Sequence, residues 1–444
     1  MFEKRLNSAE RKVLYMDILI VGGGGREHAI ARALSKSTKT DKLYCAPGNG
    51  GISAIAECFP EVKATDIDGI VALAERLQPD YVFVAPDDPL VMGLVDKLNE
   101  KGFKTFGPKA NAAIIEGSKA FSKSLMKKYN IPTAAYETFT DEEKAVEYIQ
   151  KQNSYPTVIK ADGLALGKGV IIAKNFDEAK NAVHSMLVDG KFGKSGSEIV
   201  IEEFMDGTEV TVLAFTDGKT VKPMVSSMDH KRAYDGDEGL NTGGMGTIAP
   251  NPLYTEKIAE ESMEKIFKPT IAAMSAEGRP FKGCLYFGLM LTKDGPKVVE
   301  YNSRFGDPEA QVVLPLLDTD LVDIMAAIWE EKLDQIDIEW SKSSCACVVM
   351  ASGGYPEKYE TGKEIKGLNS DGQAVAAADS AYVYHAGTKV DGGKYYTAGG
   401  RVLGVTAMGG DLKSALAKAY SAVKTISFEK AHYRTDIGHK ALGK

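Results

Sequence analysis

The chain is poor in cysteine: Cys45, Cys58, Cys284, Cys345 and Cys347 are all it has in 444 residues. An odd, low number at this length excludes a disulfide framework and fits the reducing cytoplasm. Cys345-Ala-Cys347 lies in "CACVVM", an apolar strand pattern, and no second Cys/His pair follows at zinc spacing, which argues against a metal there. Long apolar runs are also missing. "VVLPLLDTDLVDIMAAIW" comes nearest to a membrane span and carries three aspartates. The N-terminal "MFEKRLNSAERKVLYMDILIVGGGG" lacks the apolar core of a signal peptide, so residues 1–15 read as a polar leader before a first strand near Met16. No block of like charge occurs, and the net charge of −7 is mild. Neither nucleic acid nor an anionic membrane is expected as the main partner, while local basic sites stay free to hold phosphates. Fixed-period repeats and low-complexity tracts are absent as well.

What is present is strand–helix alternation rich in glycine, in a chain long enough for two to four domains. "DILIVGGGG", "KLYCAPGNGG" and "DYVFVAPDD" are apolar strands ending in unusual loops, each followed by a helical pattern. In "TDIDGIVALAERLQ", Thr65 and Asp68 have capping-box spacing. This alternation predicts a parallel sheet covered on both faces, with ligands at its carboxyl edge. From about Ser118 the texture changes. "SKAFSKSLMKKYNIP" is a basic helix, and "TDEEKAVEYIQKQ" a helix with Thr140 as cap and Glu143 at the box position. Hairpins are predicted at Asp217-Gly218 and Asp294-Gly295, with a long helix from about Thr255 between them. The last hundred residues or so read as a small α+β domain. The fold class expected is therefore α/β and α+β, in several domains.

"TVIKADGLALGKGVII", Thr157 to Ile172, looks like a phosphate-binding loop but is not a Walker A sequence. Only three residues separate Gly163 from Gly167, Gly169 follows Lys168, and no hydroxyl is placed for a metal. It connects two strands. Its backbone N–H groups, with Lys160 and Lys168, suit a polyphosphate, though a plain surface hairpin has the same pattern. "VGGGGREHA" opens a helix after a strand, as a dinucleotide fingerprint does. Glu27 or His28 stands where the third small residue belongs, and the second strand ends in "CAPGNGG" with no acid for a ribose, so NAD is disfavoured. A phosphate at this helix N-terminus stays open as a reading.

"KVVEYNSRFGDPE" is the most informative run. Strand alternation puts Val298, Glu300, Asn302 and Arg304 on one side. A carboxylate and an amide oxygen two residues apart suit Mg²⁺ completed by phosphate and water, and Arg304 suits a transferring phosphoryl group. The alternative is a polar edge-strand face. In "IVIEEFMDGTE", two acids ending a strand and Glu209 after a turn can frame adenine and ribose, or simply end a strand. "MDHKRAYDGDEGLNTGGMGTIAP", with Asp229, His230, Lys231 and Arg232 adjacent, reads as a loop over anionic substrate, with proton transfer by the histidine as the other reading.

In combination these stretches resemble the phosphoribosylamine–glycine ligases (glycinamide ribonucleotide synthetases) of the ATP-grasp superfamily. "GGGGREHA", "PGNGG", "IKADGLALGKGV", "IEEFMDGTEV", "DHKRAYDGDEGLNTGGMG", "EYNSRFGDPEAQ", "GGYPEKY", "HAGT", "GGRVLGV" and "YRTDIGHKAL" occur in the family's order from Met16 onward. The resemblance implies ligation of glycine to 5-phosphoribosylamine, with ATP split to ADP and phosphate through a glycyl-phosphate, in de novo purine synthesis. It implies an N-terminal domain over 16–118, an ATP-grasp domain over 119–340 with a small lobe at about 134–205, and a C-terminal domain over 341–444. It also implies Glu300 and Asn302 as Mg²⁺ (or Mn²⁺) ligands, and Lys119, Lys160 and Lys168 on ATP phosphates. Glu202, Glu203 and Phe204 would border adenine, with Glu209 on ribose. Arg304, Lys160 and Asp307 would serve the chemistry. Gly24, Gly25, Gly48, Asn49, Gly50, Gly51, Asp87, Asp229, Lys231 and Arg304 would hold the other substrates. A monomer or weak homodimer is implied, and no fused transformylase or cyclo-ligase module is expected.

The chain departs from the family pattern at Leu240, where proline is usual, and at Asp87 in "APDDPL", one methylene shorter than the usual glutamate. Tyr301 and Ser303 replace Phe and Ala, on the strand face opposite the ligands. Rival readings are a carboxylate–amine ligase with another acceptor and a nucleotide- or sugar-phosphate-binding protein without catalysis.

Overall fold

β1 (Met16–Gly22) is the first apolar run of the sequence, and its inner residues are wholly buried. A computed structural model describes residues 15–164, 169–191, 193–377 and 380–443. In it β1 is the centre of an all-parallel sheet ordered β3-β2-β1-β4-β5, with β2 (Thr40–Pro47), β3 (Glu57–Cys58), β4 (Tyr81–Val84) and β5 (Lys104–Phe106). The connecting helices are α1 (Gly25–Ser35), α2 (Ile67–Leu77), α3 (Asp87–Val91), α4 (Leu94–Glu100) and α5 (Ala110–Gly117). Ile18, Ile20 and Phe83 enter one apolar cluster and Leu19, Val21 and Val84 another, so both faces are covered as expected of parallel strands.

α6 (Lys119–Lys128) leads to an antiparallel sheet ordered β6-β9-β7-β8: β6 (Tyr136–Phe139), β7 (Thr157–Ala161), β8 (Val170–Ala173) and β9 (Ile199–Glu203). α7 (Glu142–Gln152) and α8 (Phe176–Leu187) bury Ala145, Ile149, Val183 and Met186 in the same cluster as Ile159 and Ile201 of that sheet. β7 and β8 pair directly, so the glycine–lysine loop is a hairpin connection. Lys168 lies outside the described residues. Two helix starts fall one residue later than the sequence suggests. Asp66, not Thr65, caps α2 by accepting from Gly69 N–H at 3.0 Å, and Asp141, not Thr140, caps α7 by accepting from Lys144 N–H at 2.9 Å. In both Thr-Asp pairs the charged acceptor takes the position facing the free N–H groups.

A third sheet, ordered β11-β10-β16-β17, comprises β10 (Thr208–Asp217), β11 (Val221–Pro223), β16 (Lys282–Thr292) and β17 (Gly295–Asn302). The predicted long helix covers it as α9 (Glu256–Ser262), a π turn (Met263–Phe267) and α10 (Lys268–Ala276). β17 carries a bulge: Leu289 faces Val298 while Gly288 faces Glu300, leaving Val299 extra. The bulge reverses the alternation. Val298 and Tyr301 both enter the apolar core, while Glu300 and Asn302 share the other face. The expected common face of Val298 with the two polar residues is therefore wrong.

α11 (Ala310–Val313) and α12 (Leu321–Trp329) lead to a sheet ordered β12-β15-β18-β23-β20, carrying α13 (Leu412–Val423). It joins β12 (Met228–Asp229) and β15 (Gly246–Ala249) from mid-chain to β18 (Ser344–Ala351), β20 (Tyr382–His385) and β23 (Arg401–Gly409). Between β12 and β15 the chain forms the small hairpin β13 (Arg232–Tyr234) and β14 (Glu238–Asn241). β19 (Glu364–Ile365), β21 (Thr388–Asp391) and β22 (Lys394–Thr397) complete the chain's strands among the described residues. No helix among the described residues is long and apolar enough to cross a membrane.

Candidate active site

β7, β9 and β17 bring Lys160, Glu202, Glu300 and Asn302 together from two sheets. Lys160 Nζ lies 3.0 Å from Glu202 Oε2 and donates to Val299 O at 3.3 Å, the carbonyl of the bulge residue. Lys123 of α6 reaches the same Oε2 at 3.3 Å and donates to Thr133 Oγ1 at 2.8 Å. Burial pulls its ammonium down to about 8, against the opposing pull of Glu202. Glu202 Oε1 is buried and has no hydrogen-bond partner among the described residues. Leaving such an acceptor empty costs about 1–3 kcal/mol, which a donor on a ligand removes. Glu203, next on the strand, is exposed and accepts from Ala135 N–H at 3.1 Å. Phe204 follows with 42% of its surface exposed, an apolar ring left uncovered two residues from the orphan oxygen. That pairing suits a planar amine-bearing heterocycle.

Lys119, first residue of α6, donates from Nζ to Gly163 O at 3.0 Å, near the root of the glycine–lysine loop. Lys231 Nζ stands 3.7 Å from both Glu209 Oε2 and Glu300 Oε1. Burial pushes the Glu300 carboxyl up, but Lys231, Lys160, Lys119 and Arg304 together hold it at about 2. It is ionised at every physiological pH.

Arg304 links this group to the next region. Its NH2 donates to Asn302 Oδ1 at 3.0 Å and pairs with Glu116 Oε1 at 2.8 Å, while its buried Nε has no partner among the described residues. Glu116 of α5 uses its other oxygen on the Ser303 N–H at 2.7 Å and hydroxyl at 2.8 Å. A buried carboxylate thus orients the guanidinium, and the guanidinium orients the Asn302 amide oxygen. Glu300 and Asn302 then offer two hard oxygen donors on one strand face. Among the described residues no group of three or more His, Cys, Asp or Glu could hold a metal by itself. The donor set fits a divalent cation that takes its other ligands from phosphate and water.

The carboxyl edge of the parallel sheet is built differently. Gly24 is the N-cap of α1, and its N–H already donates to Glu27 Oε2 of that helix. Asn49 accepts from Gly51 and Ile52 N–H at 2.9 and 3.0 Å and donates to Gly23 O at 2.9 Å and His385 O at 2.7 Å. A Cβ at Gly23 would stand 2.4 Å from Gly48 O, and one at Gly51 would stand 2.5 Å from the rings of His28 and His385. Glycine here lets two loops and β20 meet. Gly50 N–H donates to Thr388 O at 3.3 Å. Above Gly24 and Gly25 lies Asp307, whose Oδ1 accepts from Gln311 at 2.7 Å and whose Oδ2 is 3.3 Å from Arg401. Burial raises Asp307, and Arg401 and Arg26 more than reverse it. Asp87 is likewise raised by burial and brought low by Arg304 and Arg26. Asp229 accepts from His230 N–H at 2.7 Å, and its carboxyl is pushed well up by burial and by Glu309.

The predicted residues of the nucleotide and metal group thus converge, apart from Lys168, which is not described. Sequence reasoning passed over Glu116, Lys123, Gln311 and Arg401. Gln311 closes the quoted "GDPEAQ" run, and Arg401 lies in "GGRVLGV". Glu116 and Lys123 lie inside ordinary helical patterns, where a buried charge leaves no local signal.

Comparison with known proteins gives the family. The models for the N domain, ATP-grasp (A) domain and C domain of phosphoribosylglycinamide synthetase match residues 16–116, 117–310 and 345–440. The chain is 48% identical over 422 residues to phosphoribosylamine–glycine ligase of Caldanaerobacter subterraneus, covering 95% of this chain and 99% of that one. It is 47% identical to the chloroplastic phosphoribosylamine–glycine ligase of Arabidopsis thaliana, covering 94% and 79%. Among solved structures it resembles phosphoribosylamine–glycine ligase of Thermotoga maritima, with TM-score 0.82, 32% identity and coverage of 95% and 100%. The biotin carboxylase domain of Hydrogenobacter thermophilus 2-oxoglutarate carboxylase, at 16% identity and TM-score 0.73 over 95% and 92%, shares the fold. The chain belongs to the phosphoribosylglycinamide synthetase family of ATP-grasp ligases.

Proposed function

We infer that this constellation performs the ATP-dependent ligation of glycine to 5-phosphoribosylamine, the glycine-joining step of purine biosynthesis. The observation that carries the residue assignment is the Glu202 side chain, its Oε1 unpartnered among the described residues, joined through Lys160 to an ionised Glu300 that also feels Lys231, Lys119 and Arg304. Adenine would donate its exocyclic amine to Glu202 Oε1 and rest on Phe204. Glu209 would accept from ribose hydroxyls. Lys119, Lys160 and the loop lysine Lys168 would bind the phosphates.

Carboxylates are poor electrophiles, so the glycine carboxylate oxygen attacks the γ-phosphorus and ADP leaves. The amine nitrogen then attacks the acyl carbon, the C–O bond to phosphate breaks, and the nitrogen loses a proton. Arg304 faces the negative charge that gathers in the first step, aided by Lys160. Asp307, Asp87, Asp229 and Lys231, with the Gly24–Gly25 and Gly48–Gly51 loops and Asn49, would hold the sugar phosphate and glycine. Glu300 and Asn302 would hold a divalent cation, Mg²⁺ or Mn²⁺, which neutralises phosphate charge when bound. A cytoplasmic enzyme, monomeric or weakly dimeric, fits this reading.

The direct test is ADP release with ATP, glycine and phosphoribosylamine, against each omitted in turn. Release needing all three is expected. Release that ignores glycine, or that accepts another amine equally well, overturns the substrate assignment.

A further inference from the structure

Arg434 has no role in the reaction just derived, yet it is the largest fully buried side chain among the described residues. It belongs to "YRTDIGHKAL", a segment far from Glu300 in sequence. Its Nε and NH2 make a two-pronged pair with Asp436 at 2.7 and 2.8 Å. Its NH1 donates to Asp237 Oδ1 at 2.8 Å and to the Arg232 carbonyl at 3.2 Å. Asp237 is the tip of the β13–β14 hairpin and has φ of +57°, a left-handed conformation that a side chain adopts at some cost. The same C-terminal segment grips the hairpin elsewhere. Asp436 Oδ2 accepts from Gly236 N–H at 2.9 Å, Asp235 accepts from Thr435 N–H at 2.8 Å, and His230 Nε2 accepts from Gly438 N–H at 2.9 Å.

The hairpin's other end is in the site. Lys231 immediately precedes the Arg232 carbonyl that Arg434 holds, and its ammonium stands between Glu209 and Glu300. The Lys231 carbonyl takes two bonds from Thr242, its N–H at 2.7 Å and its hydroxyl at 2.8 Å, which closes the hairpin's base. Short, polar and glycine-rich, the hairpin buries only Ala233 of its own strands. Its position comes from the C-terminal segment. Lysine cannot replace Arg434, because one ammonium lacks the planar fork that serves Asp436, Asp237 and a carbonyl at once.

We propose that Arg434 is a positioning residue that pins the β13–β14 hairpin so that Lys231 stands between Glu209 and Glu300. The proposal rests on the ligase reading only for its effect on turnover. Arg434→Lys and the milder Asp237→Asn are compared with Lys231→Met and with the Arg434→Lys/Lys231→Met double variant in the full chain. Both clamp variants are expected to speed amide hydrogen exchange in residues 232–241 at least tenfold without substrates, and to lower kcat about tenfold or more. The Kd for ATP should change less than threefold. The double variant should be no slower than Lys231→Met, because Arg434 acts through that lysine. Unchanged exchange in both folded clamp variants, or losses that multiply in the double variant, overturns the proposal. Faster exchange in a protein whose wild type shows no glycine-dependent ADP release leaves the clamp standing and removes the ligase reading instead.

Discussion

Two regions of this molecule combine glycine-rich loops with buried polar side chains, and they differ in whether charged groups are left unpartnered. Around β7, β9 and β17, buried charge is left incomplete: Glu202 Oε1 and Arg304 Nε have no partners among the described residues, and Glu300 is ionised among four cations. At the carboxyl edge of the parallel sheet, Glu27, Asn49 and Asp307 are paired internally, and the unpartnered atom among the described residues there is the neutral amide oxygen of Gln311. Glu27 takes the Gly24 amide, and Asn49 uses both ends of its amide on neighbouring loops. Glycine content looks alike in both. The first region leaves hydrogen-bonding capacity unmet on charged groups, whereas the second is a platform whose glycines allow backbone to touch backbone.

The sharpest way to break this contrast is Glu300→Ala. We expect turnover to fall by roughly three orders of magnitude with the melting curve little changed, measured by ADP release and circular dichroism. Near-normal turnover would remove the metal assignment and with it the special status of the first region. Glu202→Gln comes next. It withdraws the charge shared by Lys123 and Lys160, so ATP affinity, read by calorimetry, should weaken at least tenfold, and stability should drop by about 3 kcal/mol as two buried ammonium groups lose their carboxylate. Unaltered ATP binding would mean that the orphan oxygen is not a ligand contact.

Asn49→Ala probes the platform. Its loss should cost about 2 kcal/mol of stability and raise the KM for phosphoribosylamine severalfold while leaving the Kd for ATP alone. An equal effect on ATP would erase the distinction between the regions. The smallest effect is on acid stability, and it concerns the platform's histidine seam. His385 Nε2–H donates to Gly372 O at 2.8 Å and its Nδ1 accepts from Thr388 at 3.0 Å, while His28 Nδ1 accepts from His385 N–H at 2.8 Å. Both rings are held neutral, with burial bringing His385 down to about 4. Between pH 6.5 and 4 the unfolded chain binds protons that the folded chain refuses, so stability present above pH 6.5 is lost as pH falls. By pH 5 about 2 kcal/mol of stability has been lost through His385, and Thr388→Val with His385→Gln should flatten that part of the melting-temperature profile.

Much of this was written locally. Short apolar runs ending in unusual loops specified the parallel sheet, and "KVVEYNSRFGDPE" marked β17 and its exit. Sequence alternation could not register the bulge at Val299, because a bulge is a disagreement between two strands and only one of them is visible in a stretch of sequence. The cap assignments slipped by one residue for a related reason: Thr-Asp offers two acceptors, and the direction of the entering chain decides between them.

Glu116 and Lys123 show the limit most clearly. Nothing in "AAIIEGSKAFSK" separates a solvated charge from one sealed beneath a guanidinium or a carboxylate. By itself, the order of residues determined the family, the strands and helices, and the identity of the groups available for chemistry, because propensity, periodicity and motif spacing are properties of neighbours along the chain. Only tertiary structure decided which of those groups are paired and which are left unpartnered, because burial and pairing depend on residues distant along the chain, as Lys160 is from Glu202 and Arg304 from Glu116.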